Sequence, residues 1–246
     1  MRLGFLDMFL DLFFPRRCPV CDEVVMKKLA MSKLDRLNEG LACTPCLARI
    51  TYLSEPICLK CGKQLETTAE YCEDCAGGGH HFDRGLALFE YQGIAGAVYR
   101  FKYKGRREYA EFFGAEISEK LGEDIRRFDP DLLIPVPIHR KRLRSRGYNQ
   151  ATELVKVVSR RLGIPYDDKL IKRVLATPPL KNLKLKERQN YLKKAFKIKR
   201  NDVKLNRVII IDDIYTTGST INAMAEELRL IGVSKIFFVA LSIGKS

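Results

Sequence analysis

The sequence predicts an α/β fold, a mostly parallel sheet with helices on both faces, preceded by a small cysteine-rich module. All eight cysteines fall between residues 18 and 75, as four Cys-x-x-Cys pairs. From residue 84 onward, short apolar β-branched runs alternate with segments of helical period, which is the signature of βαβ units. One run, Val208-Ile209-Ile210-Ile211-Asp212-Asp213-Ile214-Tyr215-Thr216-Thr217-Gly218-Ser219-Thr220, joins a doubly buried strand to two carboxylates and a hydroxyl-rich turn.

Residues 1–16 come first. They are apolar but broken by Asp7 and Asp11, which lie i,i+4 on one helix face. An amphipathic helix is expected, docked on the protein or on a membrane surface. The segment is too short to span a bilayer and lacks the small-residue cleavage site of a signal peptide. No other stretch is a transmembrane candidate, so a cytoplasmic location is expected.

Residues 17–79 form the cysteine module, with Cys18/Cys21, Cys43/Cys46, Cys58/Cys61 and Cys72/Cys75. A dithiol two residues apart grips one tetrahedral Zn²⁺, and two such pairs close a Cys₄ site. Four pairs therefore predict two structural zincs, with no open position left for catalysis. Disulfides do not suit a cytoplasmic setting, and four tandem pairs do not suit redox chemistry. Sequential pairing is simplest; crossed pairing stays open. So small a module, with few large apolar side chains, needs its metals to fold.

Gly77-Gly78-Gly79 marks the junction to the second domain, residues 80–246. Strands are predicted at 84–91, 131–137, 208–211 and 235–241. Helices are predicted at 94–101, 108–121, 150–162 and after Ser219. The helix at 150–162 rests on Ala151, Leu154, Val155, Val158 and Leu162. The one after Ser219 rests on Ile221, Met224, Leu228 and Ile231, with Gly232 placed to stop it. Apart from the paired cysteine modules, no internal repeat is evident.

The chain carries 44 basic and 30 acidic residues, net +14, which implies polyanionic ligands or partners. A hydrophobic share of 46% excludes wholesale disorder. Three clusters hold much of the excess. The first is Arg100, Lys102, Lys104, Arg106 and Arg107; the second is Arg140, Lys141, Arg142, Arg144 and Arg146. The third runs from Lys181 to Arg200 and reads as a solvated face.

Chemistry concentrates at residues 208–220. Carboxylates at the C-terminal end of a parallel strand stand where ligands bind in open α/β sheets. Thr216, Thr217, Gly218, Ser219 and Thr220 supply hydroxyls and closely spaced N–H groups for a phosphate nest at a helix start. The pattern predicts a phosphorylated-sugar site. It matches the phosphoribosyl-diphosphate signature of type I phosphoribosyltransferases, which implies that Asp212 and Asp213 hold the ribose hydroxyls and that the threonine loop wraps the 5′-phosphate. The second basic cluster is expected as a loop beside this site, where it can neutralise a diphosphate.

Four Cys-x-x-Cys pairs, Phe101-Lys102-Tyr103-Lys104-Gly105-Arg106, Pro135-Val136-Pro137, Arg146-Gly147-Tyr148-Asn149-Gln150 and the 208–220 run occur in one order that resembles the competence protein F family. The segment from Thr177-Pro178-Pro179-Leu180 through Arg188, Asn190 and Ala195-Phe196 is also similar, although relatives usually carry glutamine at the place of Leu180. The resemblance implies a zinc ribbon fused to a phosphoribosyltransferase domain, a cytoplasmic location and a role in uptake of transforming DNA, with competence-machinery proteins as partners. Mg²⁺ would bridge diphosphate and ribose oxygens. Arg140, Arg144 or Arg146, with Lys102 or Lys104, would stabilise the leaving group, and His139 is a candidate base. The alternative is a non-catalytic protein that binds single-stranded DNA through these clusters and Tyr99, Phe101, Tyr103 and Tyr148, with phosphoribosyl diphosphate as regulator.

Overall fold

The computed structural model describes residues 15–25, 41–175, 194–198 and 204–244. The expected N-terminal helix, most of the third basic cluster and Leu180 lie outside the described residues.

Two short helices, α1 (Thr44–Leu47) and α2 (Glu73–Ala76), belong to the cysteine module. The elements that follow are β1 (Arg84–Glu90), α3 (Tyr91–Tyr103), α4 (Tyr109–Lys120), α5 (Gly122–Arg127) and β2 (Leu132–Pro135). Next come α6 (Arg140–Arg146), α7 (Gln150–Leu162), β3 (Ile171–Arg173) and β4 (Phe196–Ile198). The chain continues with β5 (Arg207–Tyr215), α8 (Ser219–Leu230) and β6 (Lys235–Ile243).

Four strands make one parallel sheet in the order β1-β6-β5-β2. The β-branched run of β5 lies in its interior, and alternate side chains feed two cores. Val208 and Ile210 join Ile236, Phe238 and the α8 residues Ile221, Met224 and Leu228. Ile209 and Ile211 join Val239, Leu241 and residues of α3, α4 and α7 on the other face. Helices thus cover both faces, as a buried parallel sheet requires. A small antiparallel pair, β3 with β4, was not anticipated.

The cysteine module packs on this sheet at several points. Tyr52 bridges Phe89 and stacks on its ring at 5.2 Å, and Leu53 N–H donates to Leu88 O, so the free edge of β1 is covered. Near the first cysteine cluster, Arg106 pairs with Asp22 at 3.2 Å and Arg100 donates to Val20 O at 2.5 Å. Near the second, Gly85 N–H of β1 donates to Lys60 O at 2.8 Å.

One expectation needs correction. Residues 140–146 are a helix, not a loop. His139 Nδ1 accepts from Lys141 N–H to cap its start, and Gly147 at φ 82° ends it. Leu143 is the helix's one aliphatic residue, so no apolar period announces it, while arginine and lysine are good helix formers.

Candidate functional site

Strand β5 carries its acids within the strand, and the alternation of side chains separates them. Asp213 continues the face of Ile209 and Ile211, toward α3, where Lys102 Nζ meets its Oδ1 at 2.9 Å. Asp212 accepts from Asp213 N–H at 2.8 Å. Burial, then the neighbouring Asp213 carboxylate, pushes the Asp212 carboxyl up to about 8; Lys102 and Arg173 oppose the rise. Arg173 is itself brought down to about 10 by burial and by the like charge of Arg142. At the sheet's C-terminal edge Asp213 is thus paired with Lys102, and Asp212 lies within electrostatic reach of Lys102 and Arg173.

The turn after β5 completes the site. Gly218, at φ 71°, caps α8, a conformation that residues with a Cβ rarely adopt. Thr217 and Ser219 hydroxyls lie 2.8 Å apart. Residues 214–221 and Asp212 line a cavity of about 40 Å³, room for about three water-sized oxygens. That is the size of a phosphate group. Beneath it, Tyr215 stacks on Phe238 at 4.6 Å and meets Phe82 edge-on. The Tyr215 hydroxyl is buried and makes no hydrogen bond among the described residues. Burial and the second cysteine cluster raise the phenol far above its ordinary range.

The sequence-predicted cations divide. Lys102 reaches the acids, whereas Lys104 is exposed at the C-cap of α3. Arg140, Arg144 and Arg146 lie on α6, and Arg140 lines a 340 Å³ cavity that also includes Arg173. Arg146 is engaged within the protein: it donates to Gln150 Oε1 and Tyr103 Oη, both at 3.0 Å, and lies 4.7 Å over the Tyr103 ring.

The Arg146–Gln150 motif clamps the end of α3. Tyr148 Oη donates to Phe101 O, Gln150 Nε2 donates to the same carbonyl at 3.2 Å, and Asn149 Nδ2 holds Val136 O at 2.9 Å. These contacts fix the residue next to Lys102. Phe101 and Tyr148 are core residues, so two of the four aromatics expected to stack on bases are not available to do so. Tyr99 and Tyr103 are, at 52% and 57% exposure. Arg173 and Tyr215 were not among the predicted site residues: Arg173 sits in no periodic or motif context, and Tyr215, though inside the 208–220 run, is neither a carboxylate nor part of the hydroxyl-rich turn.

The cysteines gather as Cys18, Cys21, Cys43, Cys46 and as Cys58, Cys61, Cys72, Cys75, which is the sequential pairing; within each set all ligand atoms lie within 4.8 Å of one another. Sγ···Sγ separations of 3.7 Å occur in both sets, against about 3.8 Å for the edge of a tetrahedron with 2.3 Å Zn–S bonds. The donor chemistry and spacing fit structural zinc. The second set is wholly buried, whereas Cys21 of the first is exposed. Although burial raises the Cys58 thiol, backbone hydrogen bonds from Cys61, Cys72 and Lys60 bring it down to about 7.

Fold and site together define a double-zinc-ribbon protein with a phosphoribosyltransferase-type domain. Residues 9–76 match the double zinc ribbon domain family and residues 149–244 the phosphoribosyl transferase domain family. Competence protein F of Haemophilus influenzae is 32% identical over 231 residues, covering 91% of this chain and 95% of the relative. The chain belongs to the competence protein F family. Competence protein ComFC of Streptococcus pneumoniae is 26% identical, covering 89% of this chain and 96% of its own. DNA utilization protein YhgH of Escherichia coli is 26% identical, with coverages of 79% and 86%. Among solved structures, a purine phosphoribosyltransferase from Pyrococcus horikoshii is similar at 21% identity and TM-score 0.29, covering 56% of this chain and 72% of that one. A Staphylococcus aureus hypoxanthine phosphoribosyltransferase is similar at 14% identity and TM-score 0.33, covering 55% and 62%. No helix among the described residues is long and apolar enough to cross a membrane.

Proposed function

We propose that this chain binds phosphoribosyl diphosphate at the end of β5 and transfers its phosphoribosyl group to an acceptor, in the cytoplasm and in the service of DNA uptake. The division at residues 79/80 then separates zinc module from transferase domain. One observation carries the reading: an acid pair that ends directly at a phosphate-sized nest on a helix N-terminus. The nest, residues 216–220, takes the 5′-phosphate on backbone N–H groups and hydroxyls. Asp212 and Asp213 accept from the vicinal ribose hydroxyls. Bound Mg²⁺ would neutralise diphosphate charge, and the carboxylates and ligand oxygens offer the hard donors it prefers. Lys102 and Arg173, with Arg140 at the rim of the neighbouring cavity, meet the negative charge that grows on the leaving group as positive charge grows on the ribose. His139 caps α6, so we assign it a structural place.

The competence link comes from the relatives' names and from similarity over nearly the whole of each chain. The test is incubation with labelled phosphoribosyl diphosphate, Mg²⁺ and cell extract. Diphosphate release by wild type and none by Asp213→Asn is expected; equal release by both would overturn the site.

A second reading, single-stranded DNA binding with phosphoribosyl diphosphate as regulator, is favoured by one observation. Tyr99 and Tyr103 stand exposed with ring centroids 5.2 Å apart, and Arg146 of α6 lies over Tyr103. Tight ligand binding without diphosphate release, together with a steep fall of DNA affinity with salt, would support it.

A further inference from the structure

Each zinc knuckle meets the second domain at the residue after its second cysteine. In the second ribbon that residue is Gly62, at φ 74°, with its N–H donating to Cys58 O at 2.9 Å. A Cβ there would fall 2.9 Å from Gly85 O of β1, so the close approach requires glycine. The first ribbon closes the same turn with Asp22, at φ 66°, its N–H donating to Cys18 O at 2.8 Å. Left-handed backbone costs aspartate more than glycine. The turn alone does not call for a carboxylate, and the contacts of the side chain supply the reason for one.

Asp22 reaches the turn between α3 and α4. Its Oδ1 accepts from the hydroxyl of Tyr109, the first residue of α4, and lies 3.2 Å from Arg106 Nε. Its Oδ2 accepts from Arg106 Nη2 at 3.4 Å. Pro19 and Val20 of the same knuckle turn their carbonyls to Arg100 Nη2 of α3, at 3.4 and 2.5 Å. Lys102, which pairs with Asp213 at 2.9 Å, stands between these anchors in the chain. Tyr148 and Gln150 hold the Phe101 carbonyl from within the domain. The knuckle holds the residues on either side from outside it.

We propose that Asp22 is a positioning residue of the ligand site: through it the first zinc knuckle fixes the end of α3 and the turn beyond, and so sets the Lys102 ammonium against Asp213. This rests on the phosphoribosyl-diphosphate reading above. Zinc on Cys18, Cys21, Cys43 and Cys46 would keep the knuckle closed, and Asp22 carries that rigidity into the second domain. Without the tie, α3 still buries Ile94, Ala97, Val98 and Phe101, so the helix stays folded while its last turn gains freedom. The effect falls on where Lys102 stands, not on whether the domain folds.

Asp22→Gly gives the first knuckle the residue that the second uses at this turn, so the full chain should keep its fold and, by metal analysis, two zincs. Calorimetry with phosphoribosyl diphosphate and Mg²⁺ should then show affinity about threefold weaker than wild type, the scale of a residue that acts through another. The same substitution in a Lys102→Met chain should weaken binding no further, because the side chain it positions is gone. Asp22→Asn tolerates the same backbone but loses the ion pair, and it gives a second reading if the glycine variant loses metal. It too should weaken binding in wild type and not in Lys102→Met. Wild-type affinity in both Asp22 variants, or an equal loss with and without Lys102, overturns the positioning role and leaves the ligand reading standing. No binding by wild type sinks that reading and the role with it.

Discussion

Lys102 Nζ stands 2.9 Å from Asp213 Oδ1, with the two side chains only 15% and 13% exposed. The ammonium lies beside Asp212 as well, whose carboxyl burial and the Asp213 carboxylate push toward neutrality and Lys102 pulls back. The ammonium is the counterweight that lets two acids share one strand end. Lys102→Met should leave the pair to share a proton and weaken phosphoribosyl diphosphate roughly tenfold or more. Isothermal calorimetry reads this directly, and unchanged affinity would remove Lys102 from the site.

Asp212 predicts a pH dependence of stability. Its folded value is about 8, against about 3.9 in an unfolded chain. Between these values the folded state holds the extra proton, so this group's contribution is full below about pH 4 and is lost as pH rises toward 8. The melting temperature of the ligand-free protein should therefore fall more between pH 6 and 9 for wild type than for Asp212→Asn. Parallel slopes would contradict the assignment.

Tyr148 acts at one remove. Its hydroxyl and the Gln150 amide both hold the Phe101 carbonyl, next to Lys102. Tyr148→Phe should cost about 1 kcal/mol, or roughly 2–4 °C in melting temperature. A purely structural role would stop there. A positioning role also moves the Asp212 titration midpoint upward, by carboxyl NMR, as Lys102 loosens.

Gly218 and Tyr215 are coupled. A Cβ at 218 would fall 2.6 Å from Tyr215 Oη, on a backbone at φ 71°. Gly218→Ala should cost about 1–2 kcal/mol for the left-handed conformation alone and more for the clash. It should also weaken ligand binding. Tyr215→Phe in the same chain should recover part of the loss by removing the hydroxyl. Strict additivity in the double-mutant cycle would argue against contact.

The zinc sites should differ in consequence. Metal analysis should find two zincs per chain, and one in either Cys72→Ser or Cys21→Ser. Because the second cluster lies against Tyr215 and Phe82 under the nest, Cys72→Ser should weaken phosphoribosyl diphosphate more than Cys21→Ser does. The reverse order would separate the zinc ribbon from the ligand loop.

Local chemistry made much of this legible in the sequence. Val208 to Ile211 can only be a doubly buried strand, and Cys-x-x-Cys spacing carries its metal geometry within four residues. The Thr216–Thr220 turn likewise needs no distant partner to be recognised. Helix α6 escaped notice because its sequence is almost all charge, with Leu143 as its lone aliphatic residue. Lys102 and Asp213 meet across 111 positions of chain, and such a contact exists only once the sheet has formed. Tyr148 and Phe101 read as an exposed stacking surface because they sit among cations; tertiary packing buries them instead. Arg173 gains its role from β3, a strand too short to show a period.

The most direct measurement is a calorimetric titration of phosphoribosyl diphosphate with Mg²⁺ into the zinc-loaded protein and into Asp213→Asn. Saturable heat from the wild type and none from the variant is the expected result. Equal affinity in both would mean that the acids at the end of β5 do not hold the sugar.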